Sequence, residues 1–332
     1  MNNSIDIVTG GAGFIGSHMV DRLLETPGRQ VRVIDNFSNG ARRNLEQQSD
    51  NPRLEIIEAD LSDYQAVKGL FDGANRVFHF AALADIVPSI EKPEQYFRSN
   101  VDGTYNALQQ SLSAGAKRFL YAASSTCYGI PDRFPTKEDA ETRPQYPYAL
   151  TKYLGEQLVM HWAGVYKLPS LSLRMFNVYG PRARTGGTYG AVFGVFLAQM
   201  LAGEPLTIVG DGEQTRDFTF VSDIVDAFLA AAESEHTAKT YNVGSGGTYS
   251  VNRLVELLGA EKTVHIPKRP GEPDCTWADE SRFREDMDWK PRVSFEDGVE
   301  TMLENREHWR SAPVWTPGTI EEATKSWFKY LR

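Results

Sequence analysis

The stretch Ile5-Asp6-Ile7-Val8-Thr9-Gly10-Gly11-Ala12-Gly13-Phe14-Ile15-Gly16-Ser17 decides the fold. Ile5–Val8 is a short apolar run of strand type. Glycines at 10, 13 and 16 follow it as a G-x-x-G-x-x-G turn, and Gly16–Leu24 then carries Met19, Val20, Leu23 and Leu24 at helical spacing. Glycine permits the tight turn and lets backbone N–H groups approach a pyrophosphate, whose charge a helix N-terminus favours. Such a loop alone is a weak signal. It gains weight from the next strand, Val31–Ile34, which ends on Asp35, nineteen residues past Gly16. A carboxylate there accepts both ribose hydroxyls and repels the extra phosphate of NADP, so the pattern predicts NAD. Arg42 and Arg43, close behind, keep NADP open.

Outward from this unit, strand and helix signals alternate. Leu54–Ile57, Arg76–Phe80 and Arg118–Tyr121 read as strands, with helices around Tyr64–Phe71 and Glu94–Ala114. Repeated βα units predict an α/β fold, a Rossmann-type doubly wound parallel sheet covered on both faces. From about Leu173 the pattern is mixed: strands at Ser170–Met175 and Leu206–Val209, a Gly/Pro/Arg loop at Gly180–Gly190, helices at Ala191–Ala202 and Ser222–Ala232. Ser250 stands as N-cap to Val251–Leu258. No Gly/Ser linker or internal repeat intervenes. The expectation is an NAD-binding domain over 1–172 and a smaller C-terminal α/β substrate-binding lobe over 173–332. The two interleave, with parts of 216–245 packing back on the first.

Bulk properties narrow the function. Of 332 residues, 41% are hydrophobic and 24% charged, an ordinary globular balance. No run of about 18 apolar residues is present, so no membrane span is expected. Met1–Ser4 leads straight into the first strand without a signal-peptide pattern, which points to the cytoplasm. Cys127 and Cys275 are read as thiols. A net charge of −9 without a basic run argues against nucleic-acid binding. The six histidines are scattered, so no metal site is predicted.

Tyr148-Ala149-Leu150-Thr151-Lys152 places a phenol and an ammonium four residues apart on one helix face. A phenol with its ordinary pKa is a poor base at neutral pH, and a neighbouring cation lowers it. Tyr146 has no such partner. Ser124-Ser125-Thr126 follows the strand ending at Tyr121 and puts hydroxyls at the carboxyl edge of the sheet, where open α/β folds bind ligands. Asp60-Leu61 closes another strand near the adenine edge. The small Ala81 and Ala82, in His79–Leu83, let a flat cofactor lie against backbone.

The ordered set Gly10–Gly16, Asp35, Ser124 and Tyr148/Lys152 resembles the extended short-chain dehydrogenase/reductase family over nearly the whole chain, closest to nucleotide-sugar epimerases of the UDP-hexose 4-epimerase type. The resemblance implies Ser124, Tyr148 as base and Lys152 as its activator for catalysis. For the cofactor it implies Gly10, Gly13, Phe14, Ile15, Gly16, Asp35, Asn36, Ser38, Gly40, Asp60, Leu61, Ala81, Ala82, Asn100, Tyr148 and Lys152. For a UDP-sugar it implies Ser124, Ser125, Thr126, Asn177, Val192, Arg216, Arg269, Glu272 and Thr276. Family 4,6-dehydratases carry an Asp-Glu pair where Ser125 and Thr126 stand, and decarboxylases carry Glu at 126. Neither residue here does that acid–base work. The pattern therefore fits NAD-dependent 4-epimerisation of a UDP-glucose/galactose or UDP-GlcNAc/GalNAc type substrate through a 4-keto sugar. The alternatives are a dehydratase, decarboxylase or 4-dehydrogenase/reductase, and more distantly a non-enzymatic NAD-binding scaffold. Val209 replaces an aromatic residue often found beside uracil, and Thr276 is small enough to leave room for an N-acetyl group.

On the helix after Tyr148, Leu150, Leu154, Leu158 and Trp162 recur every four residues. Together with Glu94–Ala114, the resemblance implies that they form a homodimer seam. The tail Ala312–Arg332 carries Trp315, Trp327, Phe328 and Tyr330, expected to pack on the body.

Overall fold

The computed structural model describes residues 5–186 and 190–331; positions 187–189 of the Gly180–Gly190 loop lie outside it. Six strands follow one another as β1 (Ile5–Thr9), β2 (Gln30–Asp35), β3 (Leu54–Glu58), β4 (Ala74–His79), β5 (Arg118–Ser124) and β6 (Ser170–Met175). With Lys239–Val243 they make a seven-stranded, all-parallel sheet in the order Lys239–Val243, β6, β5, β4, β1, β2, β3. The order reverses direction between β1 and β4, which opens a crevice at their carboxyl ends.

The strands are apolar on both sides because helices cover both faces. Val8, Val33, Phe78, Leu120 and Ala122 point into one core beneath α1 (Phe14–Leu24) and the helix Val221–Glu233. Their neighbours Ile7, Ile34, Val77, Phe119 and Tyr121 point into the other, beneath the helices Gly103–Ser113 and Pro147–Val165. This is the period-2 alternation of a doubly covered sheet. A further core, away from the sheet, gathers Tyr179, Phe193, Phe218 and Phe295 from the later part of the chain. Helix Val221–Glu233 and strand Lys239–Val243 come late in the chain yet belong to the first core.

Two helices differ from the sequence expectation. Tyr64–Phe71 stops at Val67, because Lys68 turns extended and Gly69 takes a φ of +80°. The single helix expected over Glu94–Ala114 is three pieces: Pro93–Phe97, a π-helical turn Arg98–Asp102, and Gly103–Ser113. Such single-turn π insertions commonly sit at functional positions; this one carries Asn100. No helix among the described residues is long and apolar enough to cross a membrane.

Candidate active site

One cleft of ≈ 680 Å³ lies over the carboxyl ends of the strands. It is lined by Gly10, Gly13, Phe14, Ile15, Gly16, Asp35, Asn36, Ser38, Gly40, Asp60, Leu61, Ala81, Ala82, Tyr148 and Lys152. It continues past Ser124, Ser125, Thr126, Asn177, Val192, Arg216, Arg269 and Glu272. Asn100 and Thr276 do not line it and stand one layer back.

The cofactor end is built by close approach. A Cβ on Gly16 would lie 2.2 Å from the Gly10 carbonyl oxygen, and one on Gly10, at φ +67°, would lie 2.7 Å from the Ala81 nitrogen. Gly13 caps α1 without a side chain, so the helix's first N–H groups are left at the cleft as anion donors. Asp35 accepts from Ala12 N at 2.9 Å and Phe37 N at 2.8 Å, which fixes its carboxylate at the rim. Burial raises its pKa, against those two bonds. Arg42 is engaged by Glu58 and lies over the Phe37 ring, and Arg43 donates to Thr185. The uncapped helix, the glycine floor and the rim carboxylate fit NAD.

The floor is set by a buried relay. Thr104 Oγ1 donates to the Asn100 carbonyl at 2.6 Å, so toward His79 Nε2, 3.0 Å away, it accepts. His79 Nδ1 then accepts from Thr9 Oγ1 at 2.7 Å. Burial first and the Lys152 charge second lower the imidazole pKa to about 3, so it stays neutral. Asn100 was expected at the cofactor. Its carboxamide instead bonds Leu83 N (2.8 Å), Leu83 O (3.0 Å) and Thr151 Oγ1 (3.0 Å), tying the cleft-lining segment Ala81–Asp85 to the Tyr148 helix.

Pro147, at the first turn of its helix, starts the segment that carries Tyr148 and Lys152. Burial raises the Tyr148 pKa, and Ser124, beside it in the cleft and hydrogen-bonded to Thr126 Oγ1 at 2.9 Å, lowers it. Lys152 Nζ lies 4.4 Å from the Tyr121 ring centroid. Glu156, one turn further, is committed to Arg174 at 2.6 Å, so no described carboxylate pairs with Lys152. Burial pulls the Lys152 pKa down from 10.5 to about 7. Between those values the unfolded chain holds a proton that the folded one does not, so cofactor-free protein gains stability as pH rises through that window. Lys152→Met therefore gives its largest rise in melting temperature at or below pH 7, shrinking toward 10.5. Scanning calorimetry across that range checks this, and a pH-independent gain would contradict it.

Toward the second lobe, Glu272 Oε1 accepts from Arg216 at 2.9 Å, and Arg269 lies 3.8 Å from Glu272 Oε2. One carboxylate thus draws two guanidinium groups to one wall, a geometry suited to a diphosphate. Glu272 Oε2 is buried without a hydrogen-bond donor, and a ligand hydroxyl fits it. Thr276, expected to wall the pocket, instead donates to Asn177 Oδ1 at 2.6 Å, and Asn177 lines the cleft. Behind Arg216, the buried Asp217 accepts from Ser245 N and Ala278 N, and burial lifts its pKa to about 6.

The sequence reading missed Asp85 and Arg184. They form an ion pair across the cleft from segments far apart in the chain, and Asp85 is close enough to raise the Tyr148 pKa. Trp309, Trp315 and Trp327 also line the cleft. The tail aromatics were visible in the sequence, but nothing in their spacing points to a pocket.

Residues 7–244 match the NAD dependent epimerase/dehydratase family. The chain is 35% identical to a UDP-glucose 4-epimerase of Mycolicibacterium smegmatis, over 90% of this chain and 97% of that one. UDP-glucuronic acid decarboxylases of Arabidopsis thaliana match over 90% of this chain as well. Among solved structures, a UDP-N-acetylglucosamine 4-epimerase from Methanobrevibacter ruminantium superposes with a TM-score of 0.86 at 33% identity, covering 92% of this chain and 98% of that one. A UDP-glucuronic acid 4-epimerase from Bacillus cereus, solved with UDP-glucuronic acid and NAD, gives 0.84 at 31% identity, covering 91% and 99%. The chain belongs to the NAD-dependent epimerase/dehydratase family, within the extended short-chain dehydrogenases that use NAD on nucleotide sugars.

Proposed function

We propose that this protein inverts C4 of a UDP-hexose, of the glucose/galactose or N-acetylglucosamine/N-acetylgalactosamine type. The observation that carries the reading is the set Ser124, Tyr148 and Lys152 in a cleft where positions 125 and 126 hold only hydroxyls. NAD, held by the Gly10–Gly16 loop and Asp35, would supply the acceptor and donor of the C4 hydride. Tyr148 removes the C4 hydroxyl proton, with Ser124 bridging the two oxygens. The Lys152 ammonium stabilises the phenolate, since a cation in a buried site favours its neighbour's charged form. The same groups, run in reverse, protonate the C4 oxygen after the 4-keto sugar has turned over. Arg216, Arg269 and Glu272 hold diphosphate and ribose, which leaves the sugar as the part free to rotate. Thr276 holds Asn177 from behind, and its small side chain is read as room for a C2 acetamido group.

Asp85 favours a second reading. It is a carboxylate near Tyr148 and could serve a dehydratase or decarboxylase in place of the missing acids. Its ion pair with Arg184 argues against that, because a carboxylate held by a guanidinium is a poor proton donor. Incubating the purified protein with UDP-GlcNAc, UDP-Glc and UDP-glucuronic acid, without added NAD, separates the readings by mass and proton NMR, loss of CO2 from the uronic acid marking a decarboxylase. An isomer of unchanged mass with an inverted H4 coupling is the expected result. Loss of water would hand the chemistry to Asp85, and no change with UDP-GlcNAc or UDP-Glc would sink the UDP-hexose assignment.

The helices Gly103–Ser113 and Pro147–Val165 leave Tyr105, Leu150 and Val165 exposed. Of the seam expected from the sequence, Leu150 is exposed whereas Trp162 is buried in the core with Leu158 packed against it; the exposed residues of these two helices are offered as the homodimer seam of the proposed enzyme, and light scattering reads the resulting mass.

A further inference from the structure

The C-terminal tail enters the cleft. After Trp315, whose carbonyl accepts from Gln199 at 2.6 Å, Thr316 caps the helix Pro317–Ala323 through a reciprocal capping box with Thr319. Ile320 and Thr324 are buried beneath it. The last helix, Lys325–Tyr330, then lays Trp327 against Arg269, with the guanidinium carbon 5.4 Å from the ring centroid. Trp327 is only 5% exposed, and its indole N–H donates to the Pro270 carbonyl at 2.7 Å. Its other neighbour is Tyr146, at 6.4 Å, which in turn stacks on Tyr148 at 6.4 Å and 10°. Ser326 donates to Glu91 at 2.8 Å and so ties the tail to the first lobe.

We infer that Trp327 is a positioning residue for substrate: the C-terminal helix clasps the Arg269–Glu272 segment and sets Arg269 for the nucleotide diphosphate. The inference rests on the nucleotide-sugar reading above. A guanidinium on an arginine stem has many rotamers, and a cleft that must receive an anion gains from having one selected beforehand. The indole face selects it by a cation–π contact, and the bond to Pro270 fixes the backbone from which Arg269 springs. Because the tail reaches the cleft at the phosphate wall and not at the glycine floor, its loss falls on nucleotide affinity and leaves NAD in place.

Calorimetric titration of the NAD-loaded protein with UDP, dTDP, CDP and GDP tests this. Trp327→Ala should weaken the tightest of the four about tenfold, with NAD content unchanged, and Trp327→Phe should recover most of the loss. Combined with Arg269→Ala, Trp327→Ala should cost little more than Arg269→Ala alone, because the two act as one unit. If Trp327→Ala fails to fold, Trp327→Leu decides, since it keeps apolar volume but offers no π face. Wild-type affinity in the folded Trp327 variant, or fully additive losses, overturns the assignment of Trp327 alone. A wild-type protein that binds none of the four diphosphates overturns the nucleotide-sugar reading and this inference with it.

Discussion

Tyr148→Phe is expected to lower kcat about a thousandfold while leaving NAD and UDP binding close to those of the wild type. The substitution removes one oxygen from a ring that stays packed against Tyr146. The phenol faces the cleft, and Ser124 lies near enough to lower its pKa against the effect of burial. No other described phenol is placed to replace it: Tyr179, which also lines the cleft, is buried in the aromatic core around Phe193 and Phe295, and Tyr146, beside Tyr148, has Leu150, not a lysine, one turn on. Because the removed group acts on the C4 hydroxyl proton and holds no phosphate, the loss should sit in kcat, with KM nearly unmoved. Progress curves followed by proton NMR check this, alongside the NAD content of the variant. A Phe variant turning over at more than about a tenth of the wild-type rate would exclude Tyr148 as the base.

Gly16→Ala is expected to release NAD altogether. The added methyl would sit 2.2 Å from the Gly10 carbonyl oxygen and 2.9 Å from both the Gly10 carbonyl carbon and the Gly11 Cα. All three are backbone atoms, so no side chain can swing aside. The loop must open, and with it the Gly13 N–H bond to Gly10 O at 3.0 Å that gives the turn its shape. Overpacking of this kind costs about 1–3 kcal/mol in stability, and the displaced loop no longer aims its N–H groups at the pyrophosphate. Gly164→Ala is the control. Nothing lies within 4 Å of its Cβ position, and it sits inside the helix Pro147–Val165, so alanine there should be neutral or stabilise by up to about 1 kcal/mol. Bound NAD after denaturing extraction, and melting temperature, are the two readouts. A Gly16→Ala protein with a full complement of NAD would show that the loop is not the cofactor seat.

How far each part is legible in the sequence depends on whether its signal is local. β1 to β6 are apolar runs ending beside turns, and the Gly10–Gly16 loop is contiguous, so both can be read directly. Lys239–Val243 is also a sheet strand, but Lys-Thr-Tyr-Asn-Val is half polar. Its Asn242 is buried only because Tyr128 donates to it and it donates to the Thr136 carbonyl, partners that the fold alone supplies. Asp85 and Arg184 are ordinary surface types that meet through tertiary structure. Asn100 and Thr276 come with motifs that resemble cofactor and substrate groups, yet each spends its polar atoms on a neighbouring segment. Motif position locates such a residue near the cleft; only coordinates tell whether it faces the ligand or holds the residue that does.

The strand Lys239–Val243 has a consequence for how the molecule is made. A ribosome that has released only the first 172 residues has not finished β6, and its sheet ends in an open edge. The edge closes when residue 243 emerges and pairs alongside Ser170–Met175. Until then helix Val221–Glu233 has not covered α1, and the face beneath the cofactor loop stays wet. Such a long wait between partners slows folding and exposes an unpaired strand to other chains. A nascent chain stalled short of that point should therefore be a client for chaperones, and firm retention of the dinucleotide becomes a sign that translation has run well past the middle of the message.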